Sequence, residues 1–144
     1  LQAKQAANGG HEMPNWVVSP EDLKRGDLAN VGWHPAQIFK YEEGEAGEEA
    51  KNPGSTTCSF YFRITDGLNA GIECRRLFSE TAWGFAKSFF AVLDFPKDEK
   101  GNYKIGSQLF EQTVGHKLMI YIKRSKSNRG NEFNDVIDFR KVTE

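Results

Sequence analysis

Between Gly115 and Gly130 the chain reads GHKLMIYIKRSKSNRG, which gathers Lys117, Lys123, Arg124, Lys126 and Arg129 around Tyr121 with no acidic residue among them. Cations beside a flat ring serve a single nucleic-acid strand in two ways, since ammonium and guanidinium groups neutralise phosphates while rings stack unpaired bases. The same association recurs in SFYFRIT and IECRRLF, where Tyr61 and Arg63 are joined by Arg75. Phe39 and Tyr41 in QIFKY are further candidate rings, against the alternative that a bent strand turns them into the core. For the basic segment taken alone, the plain alternative is a solvated hairpin tip. The background favours the sharper reading: 19 Lys and Arg stand against 20 Asp and Glu, a net charge of −1, so an acid-free run is a local anion-binding surface.

Other chemistries find little support. His11, His34 and His116 lie far apart without metal-ligand spacing, HEMPN lacks the second His of a zincin, and no Gly-rich phosphate loop precedes a helix. Neither an enzyme nor a metal or other cofactor is expected. The chain of 144 residues suits one domain with a real core. Its two cysteines, the lack of a membrane-spanning apolar run and the lack of a signal segment suggest a soluble protein of the cytoplasm, with no membrane partner.

These side chains need strands to hold them. Residues 1–14 are small and polar and are read as mobile, and residues 15–30 as an arm laid on the core, where Ser19 caps a turn opened by Pro20. A first strand is expected over about Gly32–Tyr41. The acidic stretch Glu42–Ser55, with five Glu and three Gly, is expected to lie outside the core as a linker. In Thr57–Thr65, Cys58, Phe60, Phe62 and Ile64 alternate with Ser59, Tyr61, Arg63 and Thr65, the period of a half-buried strand. Setting Ile64 opposite Ile72 in an antiparallel pair puts Phe62 against Cys74 and Tyr61 against Arg75, leaving Tyr61, Arg63, Glu73, Arg75 and Leu77 outside. Arg76 then falls inside, a conflict that a bulge would relieve. In this register Cys58 and Cys74 are offset by four residues, about 13 Å along a strand, too far for a disulfide.

Ser79 is expected to open a helix with Ala82, Phe85, Ala86, Phe89 and Leu93 as its buried stripe, ending near Asp94 because Pro96 follows. Trp83 is read as packing on its flank. A polar loop and a short helix in SQLFEQTVG lead to strands over Lys117–Arg124 and about Glu132–Val142, with Leu118, Ile120 and Ile122 facing in and Lys117, Met119, Tyr121 and Lys123 facing out. Trp33 and Phe133 stay open.

Three strands, a helix and two strands is the element order of an OB-fold, an all-β, five-stranded, partly open Greek-key barrel whose main helix lies between strands 3 and 4. Residues 1–30 would be a partly disordered arm and residues 31–144 the OB-fold domain. The aromatic strand SFYFRI, the turn into AGIECRRLF, the helix and the ending VGHKLMIYIKRSKSNRGNEFNDVIDF resemble the single-stranded-DNA-binding proteins of bacteriophages, over about three quarters of the chain. The resemblance implies binding of single-stranded DNA without sequence preference, in the replication, recombination or repair of a virus within its host cytoplasm. It also implies contacts with replication or recombination proteins and allows a homo-oligomer. Two features run against it: the acidic stretch would repel phosphate, and a net charge of −1 is unlike a strong non-specific binder. The acidic tail common in that group does not follow DFRKVTE here, so either it was trimmed or the acidic stretch does its work. An OB-fold that binds RNA, or one that serves only as a protein adaptor, is the alternative.

Overall fold

Apolar side chains recurring at every second position bury one face of a strand and leave the other to solvent, and this pattern organises the protein into one antiparallel sheet. The computed structural model describes residues 17–20, 22–48, 54–79, 86–103 and 105–142. Its elements are β1 (Gly32–Glu45), β2 (Thr56–Ile64), β3 (Glu73–Ser79), α1 (Lys87–Val92), α2 (Ser107–Glu111), β4 (Lys117–Lys126) and β5 (Glu132–Arg140), preceded by a single 3-10 turn at Asp22–Lys24. The strands lie in the order β3-β2-β1-β4-β5, so that β1 is shared between β2 and β4. The expectation for segments 1–14 and for Trp16, Ala82, Trp83 and Phe85 lies outside the described residues.

The β2–β3 register is the expected one: Phe62 opposes Cys74, Tyr61 opposes Arg75 and Cys58 opposes Phe78. Neither cysteine is in a disulfide, and both are buried at their offset positions. Burial, with the Glu73 carboxylate nearby, pushes the Cys74 thiol up to about 12. Phe60, Phe62, Ile64, Leu118, Ile120 and Ile122 are all buried to within 1%. Over them packs an aromatic cluster centred on Phe89 of α1, whose ring lies 4.7 Å from both Phe60 and Phe139 and stacks on Phe78 at 5.3 Å. Ring pairs of this kind add about 0.5–1.5 kcal/mol each beyond the area they bury.

The sequence-based reading needs correction in three places. β1 does not stop at Tyr41, because Glu42–Glu45 continue it and pair with Thr56–Ser59. Backbone pairing is indifferent to side-chain charge where both faces are wet, and Ala46 N–H extends the ladder to Ser55 O at 2.8 Å. Ser79 is the last residue of β3, opposite Thr57, and the described helix begins only at Lys87. Helix α1 does end as expected, for a reason beyond Pro96. Asp94 adopts a left-handed φ of 54° while its N–H bonds Ala91 O and that of Phe95 bonds Phe90 O, a Schellman motif sealed by the Phe90–Phe95 ring contact at 5.4 Å.

The third correction concerns Arg76. No bulge interrupts β2–β3, and Arg76 does sit on the inner side, opposite Phe60. Its guanidinium instead crosses to the far edge strand, donating from Nη1 to Val136 O of β5 at 3.2 Å and lying 3.7 Å from the Asp135 carboxylate. The sheet is not closed by a ladder between β3 and β5; this side chain spans the seam. The segment before β1 spans it too. Glu73 N–H of β3 donates to Arg25 O, Ala29 N–H donates to Asn134 Oδ1 of β5, and Asn134 Nδ2 returns a bond to Asp27 O. Ala29 is fully buried in the core. Among the described residues no helix is long and apolar enough to cross a membrane.

Candidate nucleic-acid interface

The exposed face of the sheet carries two aromatic pairs, each with a cation over a ring. On the β1–β2 side Phe39 and Tyr61 stand 6.2 Å apart between centroids. The Arg63 guanidinium lies 4.3 Å from the Phe39 centroid and Lys40 Nζ lies 5.0 Å from that of Tyr61. On the β1–β4 side Trp33 meets Tyr121 edge-to-face at 5.3 Å, with the Arg140 guanidinium 4.3 Å above the indole. Trp33 and Phe39 are six residues apart on one strand, so roughly 20 Å separates the pairs.

Both clusters are made by bulges. In β1, Ile38 pairs with Phe62 and Lys40 with Tyr61, so Phe39 is the extra residue. An extra residue reverses the facing of everything after it. Lys40 therefore joins Tyr61 on the outer face and Tyr41 turns inward, against Phe60 at 5.0 Å and Phe110 at 5.3 Å. Tyr41 is thus part of the core and not a stacking platform. Burial, followed by its neighbours Cys58 and Glu43, holds its phenol well above the ordinary ionisation range. In β5, Tyr121 pairs with Asp138 but Ile122 with Val136, leaving Ile137 over. That bulge lets Val136 and Phe139 both face in and sends Arg140 out over Trp33.

The basic segment is more strand than loop. β4 runs through Lys126, and a tight turn over residues 127–131 closes the hairpin, with Gly130 in a left-handed conformation at φ 84°. Alternation along a paired strand cannot keep Lys123 and Arg124 on one face. Lys123 stays with Lys117 and Tyr121, whereas Arg124 and Lys126 point the other way, and Arg124 Nη2 donates to Ala29 O of the arm at 3.4 Å. Arg129 lies in the turn. Of the candidate residues, Phe39, Tyr61, Arg63 and Arg75 therefore gather at one end of the face and Tyr121 and Lys123 at the other, with Lys117 on β4 level with Gln37 and Arg63. Trp33, Lys40 and Arg140 complete the clusters, and the last two depend on bulges that the residue pattern did not reveal. Phe133, 43% exposed, lines a groove of about 560 Å³ between β3 and β5 together with Leu28, Arg75, Leu77 and Asn134.

Carboxylates are distributed unevenly. Tyr61 Oη donates to Glu42 Oε1 at 2.6 Å, and Lys40 Nζ lies 3.5 Å from the same carboxylate. The Tyr61 bond, aided by Lys40 and Arg75, holds the Glu42 carboxyl below its ordinary range. Arg63 grips Glu73 Oε2 through Nε at 3.0 Å and Nη2 at 2.7 Å, and Arg25 approaches it at 3.7 Å. Among the described residues no ion pair joins Lys117, Lys123 or Arg140 to a carboxylate, and no group of three His, Cys, Asp or Glu side chains is placed to hold a metal. A search of protein families finds no match to this chain, and a search of curated proteins finds none either.

Proposed function

We propose that this protein is an OB-fold that binds single-stranded DNA without sequence preference, on the outer face of β1, β2 and β4. The reading is carried by one observation: two ring pairs, each with a cation above it, on one face and roughly 20 Å apart along β1. Rings at that spacing suit stacking of separate bases of one strand, and the cations suit the phosphates between them, each stack contributing about 1–3 kcal/mol. The barrel assignment is supported by the shared position of β1 and by Arg76 drawing the edge strands β3 and β5 together. Replication or recombination proteins of a bacteriophage-like element remain the proposed context, on the resemblance in sequence.

Titration of labelled single-stranded DNA, duplex DNA and RNA of one sequence at two salt concentrations tests the reading. Single-stranded DNA is expected to bind tightest and to weaken as salt rises. A preference for duplex would reject the stacking mechanism, a preference for ribose would make the protein an RNA binder, and no binding to any strand would favour an adaptor.

A further inference from the structure

In the β1–β2 cluster the phenol and two of the three cations are already occupied by the protein's own carboxylates. Glu42 takes the hydroxyl of Tyr61 at 2.6 Å and stands 3.5 Å from Lys40, the cation over that ring. Glu73 takes two donors of Arg63, the cation over Phe39. These are the contacts that a strand's phosphates would need: a guanidinium fork, an ammonium and a phenolic donor beside a stacking surface. The carboxylates come from different elements, Glu42 from the far half of β1 and Glu73 from the start of β3, yet converge on neighbouring rings. At the other end of the face, Lys123 and Arg140 have no such ion pair among the described residues.

We infer that Glu42 and Glu73 act as phosphate surrogates, making the Phe39–Tyr61 end of the face a conditional subsite that a nucleic-acid strand enters only by exchanging its phosphates for these carboxylates. This rests on the single-strand reading above. The two glutamates are then specificity determinants. An isolated nucleotide gains one phosphate contact and loses a carboxylate contact, a near-even exchange. A strand already anchored at Trp33 and Tyr121 presents its next phosphates at high local concentration and makes the exchange favourable. Length selection follows: oligonucleotides too short to span the roughly 20 Å between the ring pairs should engage only the β4 side.

The groups facing Glu42 are Tyr61 from β2, Lys40 on its own strand and Arg75 from β3, all of which favour its ionised form. Displaced by phosphate, the carboxyl loses the Tyr61 bond and meets an anion, so its titration moves upward. Binding then takes up protons, and affinity rises as pH falls through the carboxylate range.

The test compares wild type with Glu42→Gln, Glu73→Gln and, as a charge-matched control, Glu111→Gln on exposed α2, against long and short single-stranded oligonucleotides over a salt series. For the long strand the first two variants are expected to bind about two- to fivefold tighter at low salt than the control. Their slope of log affinity on log salt should steepen by roughly 0.7 per cation released. Carboxyl NMR of Glu42 in the wild type should show its titration rising when the long strand is added. If wild type binds but the first two variants match the Glu111 control and Glu42 does not shift, the surrogate role is wrong while the binding reading stands. If no form binds, both fail; if only the variants bind, both are supported.

Discussion

The two ends of the exposed face are built alike and differ in what their cations hold. Each has two rings and a guanidinium over one of them, each owes its cation or its geometry to a one-residue bulge, and both share β1. At the β4 end no ion pair holds Lys123 or Arg140 among the described residues, with Asp135 and Asp138 opposite Lys123 and Tyr121 on β5, whereas at the β2 end Arg63 and Lys40 are held by Glu73 and Glu42. Aromatic and basic residues on a face therefore do not by themselves measure its attraction for an anion; what the cations already hold decides it.

Removing rings gives the largest expected difference. Trp33→Ala with Tyr121→Ala should weaken single-strand binding by about 2–6 kcal/mol, two stacking contributions, while Phe39→Ala with Tyr61→Ala should fall at the low end of that range. Fluorescence titration of the two double variants measures this, and equal losses would remove the distinction between the ends. Salt dependence is the next largest effect. Replacing Lys117, Lys123 and Arg140 with Ala should reduce the slope of log affinity on log salt by roughly 2, at about 0.7 per phosphate contact. Arg124→Ala with Lys126→Ala, which removes two cations from the opposite side of β4, should leave the slope nearly unchanged. A drop as large as that for the first set would mean that the strand wraps the hairpin and does not keep to one face.

Stability separates the rings of β1. Tyr41→Ala should cost on the order of 3 kcal/mol by chemical denaturation because its ring fills core space against Phe60 and Phe110, yet should leave the affinity of the folded fraction intact. Phe39→Ala should show the reverse. The smallest effect belongs to Arg124→Ala, whose single long bond to Ala29 O is worth under about 1 kcal/mol of stability.

The β2–β3 hairpin was legible in the sequence because side-chain type fixes register wherever one face is buried: a slip by one residue would set Glu73 against Phe62. The facing of β4 as far as Lys123 followed from the same period. What could not be read were the bulges at Phe39 and Ile137, since an inserted residue leaves no mark in an alternating pattern beyond an apparent conflict such as QIFKY. From that came the misplacement of Tyr41 and the absence of Lys40 and Arg140 from the expected site. The acidic stretch misled differently. Its charge correctly excluded a buried element, but a solvated strand pairing through its backbone needs no apolar face, so β1 runs on through Glu45.

The bonds from Ala29 and Asp27 to Asn134 join residues 105 and 107 positions apart, and with Arg124 they fasten the segment before the first strand to the last hairpin. This has a consequence for the order of assembly. Local pairs such as β2–β3 and β4–β5 form early, whereas the clasp between the segment before β1 and β5 closes a loop of more than 100 residues and is set last. A segment emerging early in synthesis must wait for the final strand before its backbone groups find their partners. Fraying at either flank should then be felt at the other, with the amides of Glu73 and Ala29 losing hydrogen-exchange protection together when β5 is disturbed.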